Sequence, residues 1–205
     1  MPYITAAKEA SAEFTEKKSV FISYIKPIDT EADARGFISE VSEKNNNATH
    51  NVFAYVNRTG NAVRCSDAGE PSGTAGAPVL EVIKREGLFG AAIVVTRYFG
   101  GILLGAGGLV RAYSRAAGLA IEAAGKAVFE KYLTVDVPCD YSLSGKLKYE
   151  FEKRGYAVSD TVFGELVTFR VLCPERGFEA FSLFLADISG GRISPRVTGE
   201  KFAIA

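Results

Sequence analysis

The 205-residue chain holds one histidine, one methionine, three cysteines and no tryptophan. A lone histidine restricts the available chemistry, because any Ser-His-Asp or Cys-His arrangement would have to be built on His50. No HxxxH, HExxH or paired-cysteine spacing occurs, so no metal is expected. Cys65, Cys139 and Cys173 are odd in number and far apart, which excludes a disulfide framework and fits a reducing, cytoplasmic setting. The opening residues, MPYITAAKEASAEFTEKK, lack an apolar signal core, and no run approaches the ~20 residues of a membrane span. Membrane attachment is therefore not expected. Lys plus Arg and Asp plus Glu number 24 each, so the formal net charge is zero. No global field draws the molecule to nucleic acid, and any such binding must come from a local patch.

What is present describes a folding chain, with 47% apolar and 23% charged residues and no repeat or low-complexity stretch. Strands are predicted at Tyr3–Ala7 and Glu13–Pro27, the latter with Phe21, Ser23 and Ile25 at alternate positions. Thr30 and Asp33 form a capping box ahead of a helix whose apolar stripe is Ala34, Phe37, Ile38 and Val41. Asn51–Asn57 alternates as a strand. After a long loop, Ala77–Glu86 is a short helix. Ala91–Thr96 is short and continuously apolar, as in a strand covered on both faces. Leu109–Ala124 is a helix with Leu109, Ala112, Tyr113, Ala116, Ala117 and Ala120 along one face. Beyond Gly125 the order becomes strand, helix, two strands joined at Gly164-Glu165, helix, strand, which is the ferredoxin-like βαββαβ unit. The expectation is an α+β protein with two domains, residues 1–125 and 126–205.

Two loops combine glycine with charge. Residues 65–76, CSDAGEPSGTAG, carry Asp67 and Glu70, with Ser72 or Thr74 placed to cap the following helix. Residues 99–108, FGGILLGAGG, place Gly100, Gly101, Gly105, Gly107 and Gly108 ahead of a helix N-terminus, with Arg97 just before the loop and Arg111 one turn into the helix. Free amides and the helix dipole favour a negative group there, and arginine presents a fork of donors suited to phosphate or carboxylate. The alternative is structural: Asp67 and Glu70 pair with Arg97 and Arg111, and the glycines let two backbones approach. Neither loop carries the GxxxxGK[ST] or GxGxxG fingerprint, so no nucleotide cofactor is expected. Asp67, Glu70 and His50 are the catalytic candidates, with the acids as a general base or carboxylate pair. Lys17 and Lys18 read as a solvated edge or a minor phosphate contact.

In the second domain, alternation turns Leu133, Val135, Val137, Val167, Phe169 and Val171 toward the helices. Tyr132, Arg170, Arg192 and Arg196 then share the outer face of adjoining strands. That face is either solvated or able to hold RNA backbone and stack a base.

Ala48-Thr-His-Asn51, Ser66-Asp-Ala-Gly-Glu-Pro-Ser-Gly-Thr-Ala-Gly76, Val94-Val-Thr-Arg-Tyr-Phe-Gly-Gly101 and Leu104-Gly-Ala-Gly-Gly-Leu-Val-Arg-Ala-Tyr113 resemble the bacterial YigZ branch of the IMPACT family. One departure stands out: Ala68 occupies a position that is usually acidic, which weakens any reading needing two adjacent carboxylates. The resemblance implies an N-terminal α+β sandwich like that of a small-subunit ribosomal protein and elongation factor G. It also implies a C-terminal domain like the last domain of that factor, and a cytoplasmic role in translation regulation.

Three functions follow as expectations. The first is a non-enzymatic translation-associated regulator with no cofactor. It would bind RNA, the ribosome or another anionic partner through Arg97, the glycine loop and Arg111, with Tyr132, Arg170, Arg192 and Arg196 as a second site. The second is an enzyme acting on a small phosphorylated or carboxylated ligand between the two loops. The third is a module that binds a protein of the translation machinery.

Overall fold

A computed structural model of the chain describes residues 2–204. Its strands and helices run in the order β1 (Tyr3–Ala6), β2 (Ala10–Glu16), β3 (Ser19–Pro27), α1 (Glu31–Lys44), β4 (His50–Val56), β5 (Val63–Ser66), α2 (Gly76–Arg85), β6 (Ala91–Tyr98) and α3 (Ala106–Ala124). They continue as β7 (Lys126–Cys139), α4 (Tyr141–Lys153), β8 (Ala157–Phe163), β9 (Val167–Pro174), α5 (Phe178–Ser189) and β10 (Arg196–Ile204). Two compact units separate between Val128 and Phe129.

In the first unit an antiparallel sheet of order β2-β3-β6-β4-β5 is covered on both faces. Helices α2 and α3 pack on one side against Phe21, Ile25, Val52, Ala54, Ile93 and Val95. Helix α1 lies on the other, with Ala34, Phe37 and Val41 against Tyr55, Ala92 and Val94. This is why β6 reads as an unbroken apolar run, since every residue from Ala91 to Val95 is fully buried. The small alanine face of α3 lets that helix sit close to the sheet. Tyr113 is its largest member, meeting Phe21 edge-on at 5.4 Å between ring centroids. The capping box of α1 forms as expected, Thr30 Oγ1 accepting from the Asp33 amide and Asp33 from the Thr30 amide.

Two local expectations are corrected. Glu13–Pro27 is two strands, not one: Lys17 and Lys18 form a two-residue turn between β2 and β3, with φ of 46° and 64°. Such turns usually call for Asn or Gly, so a Lys-Lys turn carries no sequence signal. β6 extends to Tyr98 and so includes Arg97, and Gly107 and Gly108 lie inside α3 rather than in the loop before it, the helix N-cap being Gly105 (φ 76°).

The second unit has the sheet order β10-β7-β9-β8, antiparallel throughout, with the βαββαβ connectivity the sequence predicts. Val135, Val137, Phe169 and Val171 meet Leu147 and Phe151 of α4 and Phe181 and Leu185 of α5. Phe151 is the hub of this core, with Phe169 edge-on at 5.6 Å and Phe181 at 6.0 Å. β10 begins at Arg196, so Arg192 lies in the turn that follows α5 and not on the sheet. There its Nε donates to the Ser189 carbonyl at 2.9 Å and helps terminate the helix.

Candidate functional site

The two glycine-rich loops meet at the start of α3. Strand β6 delivers Arg97 with its side chain 5% exposed, and the 65–76 loop delivers Glu70 with its side chain 3% exposed. Arg97 Nη1 donates to Glu70 Oε1 at 2.6 Å, and the Tyr113 hydroxyl donates to the same oxygen at 2.8 Å. Burial, followed by the adjacent Glu70 carboxylate, pushes the Tyr113 phenol well above its ordinary value, so it stays a donor. Arg97 Nη2 donates to Ser19 Oγ at 3.3 Å, and the guanidinium lies 5.5 Å from the ring centroids of both Phe21 and Phe99. The lattice reading of the loops therefore holds for the pair Glu70–Arg97.

It does not hold for Asp67 with Arg111. Asp67 accepts from the amides of Gly73 (2.9 Å), Ala75 (3.0 Å) and Gly76 (2.8 Å). It thus caps α2 from outside the helix, and neither Ser72 nor Thr74 does so: Thr74 Oγ1 donates instead to the Pro71 carbonyl. Desolvation is the largest influence on Asp67 and raises its pKa. The three amides together outweigh it and hold the carboxyl below its ordinary value. A depressed carboxyl contributes stability above its unfolded pKa, and that contribution disappears as pH falls through the folded one. Asp67→Asn is accordingly expected to lower stability by about 1–2 kcal/mol at neutral pH. Melting curves taken from pH 7 to pH 3 should show this deficit shrinking below about pH 4.

Arg111 is exposed on α3 and forms no ion pair among the described residues. It borders a cleft of about 250 Å³ with Phe14, Glu16, Lys17, Leu104, Gly108 and Arg115. Three cations here face one carboxylate, Glu16, which lies 4.0 Å from Arg115. Lys18 is exposed beside them in the β2–β3 turn. The turn is fixed by Ser19, whose Oγ accepts from the Gly100 amide at 3.2 Å as well as from Arg97. Gly100 is needed for this approach, because a Cβ there would overlap the Lys18 backbone. Gly107 and Gly108 sit in the first turn of α3. The first bond of the helical ladder runs from the Leu109 amide to the Gly105 carbonyl, and no side chain caps the helix. The amides of Ala106, Gly107 and Gly108 precede that ladder and keep their donors available.

His50 opens β4 opposite Arg97. Its Nδ1 lies 2.9 Å from the Ala68 carbonyl, an oxygen that only accepts, so Nδ1 carries a proton and, in the neutral imidazole, Nε2 holds the lone pair. That Nε2 is 3.8 Å from Glu70 Oε2. Ala68 holds a left-handed conformation (φ 46°), and a Cβ on Gly69 (φ 89°) would come within 3.3 Å of the ring. The unusual residue at position 68 thus contributes its carbonyl, not a side chain. Glu70 Oε1 is held by Arg97 and Tyr113 and Asp67 by three amides, while Glu70 Oε2 makes no hydrogen bond among the described residues.

On the second unit's outer face, Asp136 of β7 is paired in register with Arg170 and with Arg196. Arg170 Nε donates to Asp136 Oδ1 at 2.9 Å, and Arg170 Nη1 is 3.7 Å from Asp160. Lys131, which is in phase with Leu133 and Val135 along β7 and so does not share that face, is bridged by Glu175 (2.9 Å) and Glu200 (2.6 Å). Tyr132 lies on the outer face, its phenol pushed up by burial and then by Glu130. The face alternates in sign where the sequence suggests a basic one: alternation with Val135 and Val137 turns Asp136 outward, and the strand register sets Asp136 and Asp160 beside Arg170. Arg196 is the one candidate arginine there without an ion pair among the described residues. No group of three or more His, Cys, Asp or Glu that could hold a metal ion occurs among the described residues. Among them, no helix is long and apolar enough to cross a membrane.

Fold and site together define a two-domain α+β protein whose first unit carries a buried Glu-Arg-Tyr cluster beneath a cationic helix start. The family of the Impact N-terminal domain matches residues 17–121, and a domain of unknown function, DUF1949, matches residues 137–192. The chain is 35% identical over 191 residues to the IMPACT family member YvyE of Bacillus subtilis, covering 93% of this chain and 88% of that protein. It is 31% identical over 180 residues to the IMPACT family member YigZ of Escherichia coli, covering 86% of this chain and 88% of that one. A solved structure described as that of a hypothetical protein superposes with a TM-score of 0.62 at 28% identity, covering 97% of this chain and 98% of that one. The chain belongs to the IMPACT family.

Proposed function

We propose that this IMPACT family member is a non-enzymatic, translation-associated protein that holds RNA, including RNA exposed on the ribosome, by its phosphate backbone. The observation that carries the reading is the convergence of Lys17 and Arg111 on the cleft at the uncapped start of α3, with Lys18 next to Lys17 in the turn, all three exposed and without ion pairs among the described residues. A left-handed backbone costs a non-glycine residue about 1–2 kcal/mol. Two adjacent lysines kept in it suggest a use for their position. Arg97, sealed beneath by Glu70, contributes shape to the site and not free charge. The second unit's alternating face offers less net positive charge, so the reading rests on the first unit.

The test is binding of single-stranded RNA as a function of salt. With three or four phosphate contacts, log K should fall with log salt at a slope of about −2 to −3. The triple variant Lys17→Ala/Lys18→Ala/Arg111→Ala should flatten that slope and lower affinity at least ~10-fold at low salt, because each neutralised phosphate contact contributes to it. Binding that ignores salt, or that survives the triple variant unchanged, refutes the reading.

A further inference from the structure

On the side of the α3 start away from the cationic cleft lies a second cavity of about 370 Å³, and Leu104 borders both. Its walls are apolar: Phe99, Leu103, Leu104, Leu109 and Pro71. Leu103 is 81% exposed and Phe99 46%, so the mouth presents bare hydrocarbon to water. The polar groups at its base are of two kinds. With the imidazole neutral, His50 Nε2 is an acceptor; it lies 3.8 Å from Glu70 Oε2, a second acceptor, which makes no hydrogen bond among the described residues. Gly105 and Ala106 also line the cavity and bring the free amides of the α3 N-terminus, which are donors. Arg97 lines it too, and its buried Nε has no acceptor among the described residues. The cluster is therefore incomplete in a definite sense: two acceptors lack a donor, and a set of donors lacks an acceptor.

We infer that this cavity takes one unstacked guanine base. The Watson–Crick edge of guanine carries two adjacent donors, N1–H and the N2 amine, beside the O6 acceptor. That pattern complements His50 Nε2 and Glu70 Oε2 on one side and the α3 amides on the other. Phe99 and the leucines supply a face on which the ring can stack, the usual way a splayed-out RNA base is held. The other bases fit poorly. Adenine and cytosine set a ring acceptor beside a single amine, and uracil flanks its one N–H with two carbonyls. Each would turn an acceptor toward the Glu70 carboxylate or the His50 lone pair, leaving buried polar groups unpaired. The cavity lies within the range of small-ligand pockets. The two cavities share Leu104 at the helix start, so the phosphate contacts of the RNA reading adjoin the base pocket. This deepens the RNA reading and rests on it for the phosphate contacts; the base pocket is testable without them.

The experiment titrates the full chain by calorimetry with guanosine, adenosine, cytidine and uridine, none of which carries phosphate, and separately with poly(U) and a guanine-containing oligonucleotide. Guanosine should bind at least ~10-fold more tightly than the other three, because only it satisfies both acceptors. His50→Ala should abolish that preference while leaving poly(U) binding unchanged. Leu103→Ser, at an exposed position, should weaken guanosine without lowering the melting temperature, which guards against loss of fold in the histidine variant. The oligonucleotide should exceed both guanosine and poly(U) in affinity. Guanosine that fails to bind at millimolar concentration, or binds no better than uridine, overturns the base pocket whether or not poly(U) binds. Failure of poly(U) with retention of guanosine overturns only the phosphate reading.

Discussion

Glu70→Ala is expected to lower unfolding stability by about 3–5 kcal/mol, the usual consequence of stranding one member of a buried ion pair. The truncated side chain leaves Arg97 with Ser19 Oγ as its hydrogen-bond acceptor and leaves the Tyr113 hydroxyl with none. Stacking between Phe21 and Phe99 does not replace a carboxylate for a charge this deeply buried. Glu70→Gln keeps the shape and one acceptor, so its loss should be smaller. A double variant, Glu70→Ala/Arg97→Leu, should recover much of the deficit, because removing both charges also removes the desolvation that made the first change costly. Urea unfolding of the three variants measures this directly. Equal stability of Glu70→Ala and the wild type would mean that Arg97 reaches water by another route.

Gly100→Ala should be comparably damaging for a steric reason. A Cβ at this position would overlap the carbonyl of Lys18 and sit 2.5 Å from the Ser19 amide, contacts to backbone that no rotamer change relieves. The β2–β3 turn would have to move off the loop, breaking the bonds that Ser19 Oγ makes with Gly100 and Arg97. Loss of that junction is expected to cost about 3 kcal/mol, within the range of severe overpacking. RNA affinity should fall with it, because Lys17 would no longer line the cleft beside α3. Gly118→Ala is the matched control. This glycine lies within α3, and a Cβ added to it would find no neighbouring atom within 4 Å. Alanine there should stabilise by about 0.5–1 kcal/mol through helix propensity. Thermal melts of the two variants should therefore move in opposite directions.

The sequence displays those parts of the fold that periodicity controls. The βαββαβ order, the two-faced burial of β6, the alanine face of α3 and the Thr30–Asp33 box all follow from spacing between neighbours in sequence. The β2–β3 turn is hidden because Lys17 and Lys18 adopt a conformation that their side chains disfavour. β5 merges into the loop that follows it because four residues are too few to show a period. The site is legible in composition but not in pairing. Glu70 and Arg97 are 27 positions apart, and only the fold decides that Glu70 meets Arg97 while Asp67 turns to the amides of α2. His50 stands out as the lone histidine, yet its approach to Glu70 depends on the strained carbonyl of Ala68. On the second unit's outer face, Asp136 is legible as outward-facing from its alternation with Val135 and Val137, whereas its pairing and that of Asp160 with Arg170 across strands is a relation that one strand's alternation cannot reveal.

The central claim is where RNA touches the molecule, and amide chemical-shift mapping reads that surface residue by residue. Titrating labelled protein with a short single-stranded RNA at low salt should move the amides of Lys17, Lys18 and Ala106 to Arg111, with Asp136, Arg170 and Arg196 unperturbed. Shifts confined to the second unit's sheet, or none at RNA concentrations that saturate binding, would contradict it.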